Sequence, residues 1–366
     1  MWGLPGKVLW QPRDADMPSQ MKDVAQKAGV SVTTVSHVLN KTRHRPVAPE
    51  TRQRVLDAIR DLNYHANANA RRLAQTHSNL FGLILSEIAN PFFPEVILGF
   101  EGAAVRRGFE LLLCNTEYDP ARSSVAVRKM IENKVRGVAV VTSMLDTALV
   151  EQLAAEKLPV VLFGQGPAKP GTSYIHLDYR AGMAQTVEHL IGFGHREIAF
   201  VSGPQNIRSA VRVRDAFTGA LGQRGLEPCQ IVESNYKVDG GASSVRSLLA
   251  RDIFPTAIVC GNDLIAVGVI SALEEVGISV PQDVSVVGCD DILVARLARP
   301  PLTTVAVPRE SLGKLAFETL YRMQRTAARP GGVYQLETTL VIRKSTTSRR
   351  IKGLAAPAIE HLQVTR

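Results

Sequence analysis

Aromatic side chains make up only 5% of this 366-residue chain, and two residues are tryptophan. No apolar run approaches the ~18 residues that crossing a bilayer takes, so a membrane-spanning protein is not expected. The four cysteines, Cys114, Cys229, Cys260 and Cys289, are far apart and form no C-x-x-C pair. They sit in or beside apolar runs, which excludes a disulfide scaffold and points to buried free thiols. The eight histidines are scattered without metal-ligand spacing. There is no Walker A loop and no G-x-S-x-G elbow. "GFGHRE" starts like a dinucleotide-binding turn but lacks the third glycine and precedes a strand instead of following one. No metal, cofactor or catalytic constellation is therefore expected. The first twenty residues have no continuous apolar region and no clean small-residue cleavage site, so a secretory signal is not expected and the cytoplasm is. Residues 1–18 read as a disordered extension or a start placed too early, with Met17 and Met21 as alternatives.

What is present is a soluble composition, 45% apolar and 21% charged, in a chain long enough for two or three domains. The formal charge is +9. Residues 1–75 hold twelve Lys or Arg against six Asp or Glu, so a basic head carries two thirds of the excess and the rest is close to neutral. Such asymmetry suits a polyanionic partner for the head.

Within the head, Met21, Val24, Ala25 and Ala28 recur at i, i+3, i+4 and i+7, the stripe of an amphipathic helix. Gly29 can end it and Ser31 can cap the next helix. That second helix, in "GVSVTTVSHVLN", turns Val35, Val38 and Leu39 inward and presents Val32, Thr33, Ser36 and His37. A third helix fits "PETRQRVLDAIRDLNY", with Pro49 in its first turn and Val55, Leu56, Ile59 and Leu62 inward. Two short helices around a glycine turn form a helix-turn-helix, whose second helix enters the major groove of DNA. On spacing alone the same pattern also fits a solvated surface helix.

The run "MKDVAQKAGVSVTTVSHVLN…VAPETRQRVLDAIRDLNYHANANARRLA" resembles the DNA-binding head of the LacI family of bacterial transcription regulators. The resemblance implies a helix-turn-helix domain over 19–66 and DNA contacts from Ser31, Val32, Thr33, Ser36, His37 and Asn40. His37 stands where the family usually has arginine, Ala48 where it favours a serine cap, and Ala66 where it has proline. Residues 67–79 are then a hinge helix and linker, too short to be stable alone. In that hinge Asn67 is a cap, Arg71 lies near phosphate and Leu73 wedges into the minor groove.

From Leu80 onward short apolar runs ("FGLIL", "ELLLC", "GVAVV", "PVVLF", "EIAFVSG", "AIVCGND", "VSVVGCD") alternate with helical stretches. This βαβ rhythm predicts parallel, doubly wound α/β sheets. Many runs end in small or polar residues such as Ser86, Gly164, Asn262 and Asp290, where open sheets bind ligands. The family resemblance extends over most of 80–345 and implies a two-lobed, periplasmic-binding-protein-like body. Its first lobe would span about 80–176 and 305–328, its second about 177–304 and 329–345, with three crossings between them. Residues 346–366 form a tail without leucine heptads, so a homodimer is expected and not a tetramer.

Positions matching the family's effector pocket are Asn90, Phe92, Phe93, Tyr236, Asn262 and Asp290. The family's effector arginine falls on Val213, so Arg212 and Arg214 are both candidates. The expectation is a ligand-responsive DNA-binding repressor, dimeric on a pseudo-palindromic double-stranded operator, with a small-molecule effector, a sugar or sugar acid. An enzyme on the same fold and a secreted solute-binding protein are the alternatives; the one lacks a catalytic motif and the other a signal.

Overall fold

The computed structural model describes residues 19–40, 47–64, 78–141, 147–250 and 254–349. The chain divides into two compact units, one ending at His77 and the other starting at Ser78.

Among its described residues the first unit has the helices α1 (Met21–Ala28), α2 (Val32–Asn40) and α3 (Pro49–Asp61). Gly29 adopts φ 65°, the left-handed conformation that closes α1. Ser31 starts α2, its Oγ accepting the Thr34 N–H at 3.1 Å. Ala48 offers no such bond to α3, and Pro49 begins that helix with a preset φ. Val24, Ala25, Ala28, Val35, Val38, Val55 and Ala58 make one small core. Leu56, expected inside, is exposed instead. The inward stripe of α3 runs through Val55, Ala58, Ile59 and Leu62, and Leu56 lies on its flank.

The second unit is built on two six-stranded sheets. Its elements in order are β1 (Leu80–Leu85), α4 (Phe93–Val105), β2 (Glu110–Asn115), α5 (Pro120–Glu132), β3 (Val138–Val141), α6 (Thr147–Ala155), β4 (Val160–Phe163) and β5 (Thr172–Asp178). There follow α7 (Tyr179–Gly192), β6 (Ile198–Ser202), α8 (Arg208–Gly222), β7 (Gln230–Glu233), α9 (Val238–Leu249), β8 (Ala257–Cys260) and α10 (Asp263–Glu275). The last are β9 (Ser285–Asp290), α11 (Leu293–Leu297), β10 (Thr303–Ala306), α12 (Arg309–Arg325), β11 (Val333–Glu337) and β12 (Thr339–Val341).

The first sheet has the order β11-β5-β4-β3-β1-β2 and is parallel throughout. The second has the order β12-β10-β9-β8-β6-β7, parallel except for the edge pair β10–β12. Both are covered by apolar packing on two faces. In β1, Phe81, Leu83 and Leu85 join one cluster and Leu80 and Ile84 another. In β6, Ala199 and Val201 face one cluster and Ile198 and Phe200 the other. A strand buried on both faces reads as a continuous apolar run, which is why these segments show no alternation.

The lobes interleave differently from the boundaries expected above. β10 belongs to the second sheet, and β11 belongs to the first, pairing with β5 from Val333↔Tyr174 to Glu337↔Asp178. The first lobe therefore closes with 309–337, and 329–337 is not part of the second. The open edge of β5 decides this, because β11 is the strand that satisfies it. The chain passes between sheets at Asp178–Tyr179, at 307–308 and at Thr338. The outer two crossings are tied together, the Thr338 hydroxyl donating to the Asp178 carbonyl at 2.9 Å. Among the described residues no helix is long and apolar enough to cross a membrane.

Candidate functional site

On α2, Val35 and Val38 are buried, while Ser31, Val32 and Thr33 are exposed and Ser36 and His37 half-buried. Val32 keeps 47% of its surface open. A branched apolar side chain in the exposed first turn of a helix is suited to a thymine methyl, and Thr33 beside it to a base edge or phosphate. The Asn40 side chain lies outside the described residues, as do Asn67, Arg71 and Leu73.

A cavity of about 270 Å³ lies where the strand ends of the two sheets face each other. The first lobe contributes Ser86, Asn90, Phe92, Phe93, Tyr118 and Gln165; the second contributes Tyr179, Ser209, Arg212, Tyr236, Asn262 and Asp290. Its expected residues have unequal parts. Asn90 Oδ1 accepts the Phe92 N–H at 3.0 Å and shapes the turn into α4. Phe93 is mostly core, with Phe92 against it edge to face at 5.3 Å. Asn262 is engaged at both ends: Oδ1 accepts the Ile265 N–H at 2.9 Å, and Nδ2 donates to the Tyr236 carbonyl at 3.1 Å. It caps α10 and holds Tyr236 in place, with one N–H and one lone pair remaining.

Tyr236 takes φ 64° and lays its ring against Gly203, where a Cβ would come within 2.2 Å of it. Burial pushes its hydroxyl pKa far up, so it stays a neutral group, and Ser209 is its hydrogen-bonding neighbour. Asp290 ends β9 and is 9% exposed; among the described residues no side-chain hydrogen bond reaches its carboxylate. Burial first, then the charge of Asp263, raises its pKa well above the usual carboxylate range, and Arg309 opposes them. Asp263 itself is pushed up to about 7 by burial, against bonds from Thr304 and the Ile292 N–H.

The two arginine candidates separate. Arg212 lines the cavity, half-buried beside Gly164, whose φ of 145° and absent Cβ make room for the guanidinium. It forms no ion pair or hydrogen bond among the described residues; burial, and then Arg208, lower its pKa. Arg214 is not part of the cavity. It is bonded to Asp215 at 2.8 and 3.0 Å and to Gln205. Residues two apart on a helix point ~200° apart, so only one of the pair can face the cavity. Val213 between them packs into the core.

Tyr118, Gln165, Tyr179 and Ser209 also line the cavity and were not singled out from the sequence. Tyr118 sits at φ 57° in the turn after β2, with Ser86 as a neighbour, and no periodicity betrays it. Ser86 and Gly164 were legible only as strand ends. Among the described residues no group of His, Cys, Asp or Glu has the arrangement to hold a metal ion.

Comparison with known proteins gives two family matches. "Bacterial regulatory proteins, lacI family" matches residues 20–67, and "Periplasmic binding protein-like domain" matches 187–346. The chain is 37% identical over 329 residues to the HTH-type transcriptional repressor PurR of Photobacterium profundum, covering 89% of this chain and 98% of the relative. PurR of Pasteurella multocida is 35% identical over 332 residues, covering 90% and 99%. Among solved structures, the lac repressor dimer bound to operator and the anti-inducer ONPF superposes with a TM-score of 0.81 at 28% identity, over 90% of this chain and all of that one. The complex of the regulator CelR with cellobiose gives 0.67 at 30% identity, over 89% and 99%. These relatives are transcription regulators and not enzymes, and the chain belongs with them to the lacI family of bacterial regulatory proteins, DNA-binding repressors with a ligand-responsive body.

Proposed function

We propose that this protein represses transcription in the bacterial cytoplasm as a dimer on a pseudo-palindromic operator, under control of a sugar or sugar acid held between its lobes. The observation that carries the effector reading is the cavity itself, in which the Asp290 carboxylate and the Arg212 guanidinium have no hydrogen-bond or ion-pair partner among the described residues. A carboxylate of this kind accepts two hydrogen bonds from a diol, and an unpaired guanidinium receives a carboxylate. Tyr236 offers a ring face to a sugar. A similar regulator from Enterococcus faecium holds ribose, with a TM-score of 0.67 at 26% identity, over 74% of this chain and all of that one.

On the DNA side, Val32, Thr33 and His37 read bases, Ser31, Ser36 and Asn40 support them, and Asn67, Arg71 and Leu73 form the hinge that meets the minor groove. A second copy covers the apolar faces left open on α4 (Leu98, Val105) and α11 (Leu293, Leu297).

The test is a thermal-shift panel of ribose, cellobiose, gluconate and galacturonate, followed by operator titration with any stabilising ligand. A selective ligand raises the melting temperature by mass action. A rise with the acids alone assigns Arg212 the leading part, and a rise with neutral sugars assigns it to Asp290. No rise at millimolar concentration removes sugars and sugar acids from the proposal.

His37→Arg should change base preference at one position per half-site. Arginine can bond guanine O6 and N7 together where histidine offers one donor, a difference of about 1–3 kcal/mol. Binding-site selection with both proteins checks it. An identical selected motif would place His37 on phosphate.

A further inference from the structure

Arg309 is a cation in a costly place. It opens α12 where the chain has just returned from the second sheet, and only 4% of its surface is exposed. A positive charge there faces the positive end of the helix dipole. Burying a guanidinium is also unfavourable unless its donors are satisfied. Yet one nitrogen makes all its bonds: Nη2 donates to Glu95 Oε1 at 3.0 Å and to the Asp291 carbonyl at 2.7 Å. Nε and Nη1 are buried with no hydrogen-bond partner among the described residues.

The position of those bonds is informative. Glu95 stands in the first turn of α4, in the first lobe, and Asp291 follows β9, in the second. Arg309 thus straps one lobe to the other. The corner it grips is the one that carries Asp290. Asp290 and Asp291 both take positive φ, 119° and 57°, unusual for residues with side chains and held only by surrounding contacts. On the far side Asp291 Oδ1 accepts a bond from Arg343 at 2.5 Å. The charge of Arg309 is felt by Asp290 and by Asp263 behind it.

We propose that Arg309 is a positioning residue that couples occupancy of Asp290 in the cavity to the geometry between the lobes, a proposal that rests on reading the cavity as the effector site. A ligand whose hydroxyls donate to Asp290 holds that carboxylate ionised. The ionised group draws the unbonded Nε and Nη1 of Arg309 toward it, against the pull of Glu95. Because Glu95 and Asp291 belong to different lobes, redistribution at this one guanidinium changes how the lobes are strapped. The two buried, unsatisfied donors are the reserve that makes redistribution possible.

The experiment uses the full-length protein and the strongest stabiliser among ribose, cellobiose, gluconate and galacturonate. Ligand affinity and operator affinity, with and without ligand, are measured for the wild type, Arg309→Gln, Glu95→Gln and Arg309→Lys. In Arg309→Gln, ligand affinity should stay within about threefold of wild type, while a ligand-induced change in operator affinity of about tenfold or more shrinks to less than about threefold. Glu95→Gln, altered at a half-exposed side chain and so expected to fold, should weaken the response in the same direction. Arg309→Lys should restore part of it by keeping the charge. A purely structural role would lower the melting temperature and leave the ratio of operator affinities alone. Full coupling in both Arg309→Gln and Glu95→Gln overturns the proposal. A wild type that binds none of the probes overturns the sugar reading of the cavity, and the coupling argument with it.

Discussion

Asp290→Asn should yield a protein that melts at a higher temperature and responds less to its effector. The carboxylate is buried, feels the charge of Asp263 and receives no side-chain hydrogen bond among the described residues, so its ionised form is disfavoured in the empty protein. Asparagine keeps the shape, tolerates a positive φ better than most residues and removes the charge. The effector loses a charge-assisted acceptor, about 2 kcal/mol or ~30-fold in affinity. Operator affinity without effector should not change. The pH dependence should change as well. With the carboxyl of Asp263 pushed up to about 7 and that of Asp290 raised beside it, the folded state binds protons that the unfolded chain has released above its ordinary carboxyl range near ~4. Stability therefore falls as pH rises from ~4 through about 7, where Asp263 titrates, and the fall should be shallower in the variant. Calorimetry across pH with effector titration measures both. An unaltered effector affinity would remove Asp290 from the contact set.

Gly313→Ala should cost about 3 kcal/mol, more than its one added methyl suggests. α4 and α12 cross with their backbones nearly touching. A Cβ on Gly313 would sit 1.9 Å from the Val96 carbonyl oxygen, and one on Gly99 would sit 2.1 Å from that of Glu310. Neither obstacle is a side chain that could rotate away, so the helices must separate. The second lobe repeats the device: Gly268 would meet the Val238 oxygen at 2.0 Å and Gly241 the Ile265 oxygen at 2.2 Å. Gly219 in α8 is the control, because nothing lies within 4 Å of its Cβ position. Alanine there should stabilise by about 0.5–1 kcal/mol through helix propensity alone. Urea denaturation of the two variants decides the matter. Equal midpoints would mean that the helix pair tolerates separation.

The head was legible because its information is local. One glycine, one serine and a few apolar residues at helical spacing set α1 and α2, and the folded core uses those same residues. The βαβ rhythm of the body was legible for a similar reason, each buried strand being a short apolar run between helices. Sheet membership was not. β11 alternates between exposed and half-buried residues at a sheet edge, and only its long-range pairing with β5 assigns it to the first lobe. In the cavity, Asp290 was visible as a polar strand end. The arginine was ambiguous because "VRVRD" gives no phase by itself. The phase comes from Ala210, Val213, Phe217 and Leu221, which bury one face of α8 and so turn Arg212 toward the cavity and Arg214 away. Tyr118 and Arg309 carried no signal at all. One stands in an irregular turn, and the other's neighbours are more than two hundred residues distant in one case.

The interleaving of the lobes has a consequence for how the protein is made. The ribosome finishes the helices of the first unit by Asp61, and that unit can fold as soon as it emerges. The first sheet must wait for β11, which ends at Glu337, and the second for β12, which ends at Val341. The open edge of β5 is therefore left uncovered until residue 333 is made, and that of β10 until residue 339. A nascent chain interrupted between residues 64 and 333 would carry a folded DNA reader on a body that cannot close either sheet. The last strands to leave the ribosome are the ones that complete the two sheets between which the cavity lies.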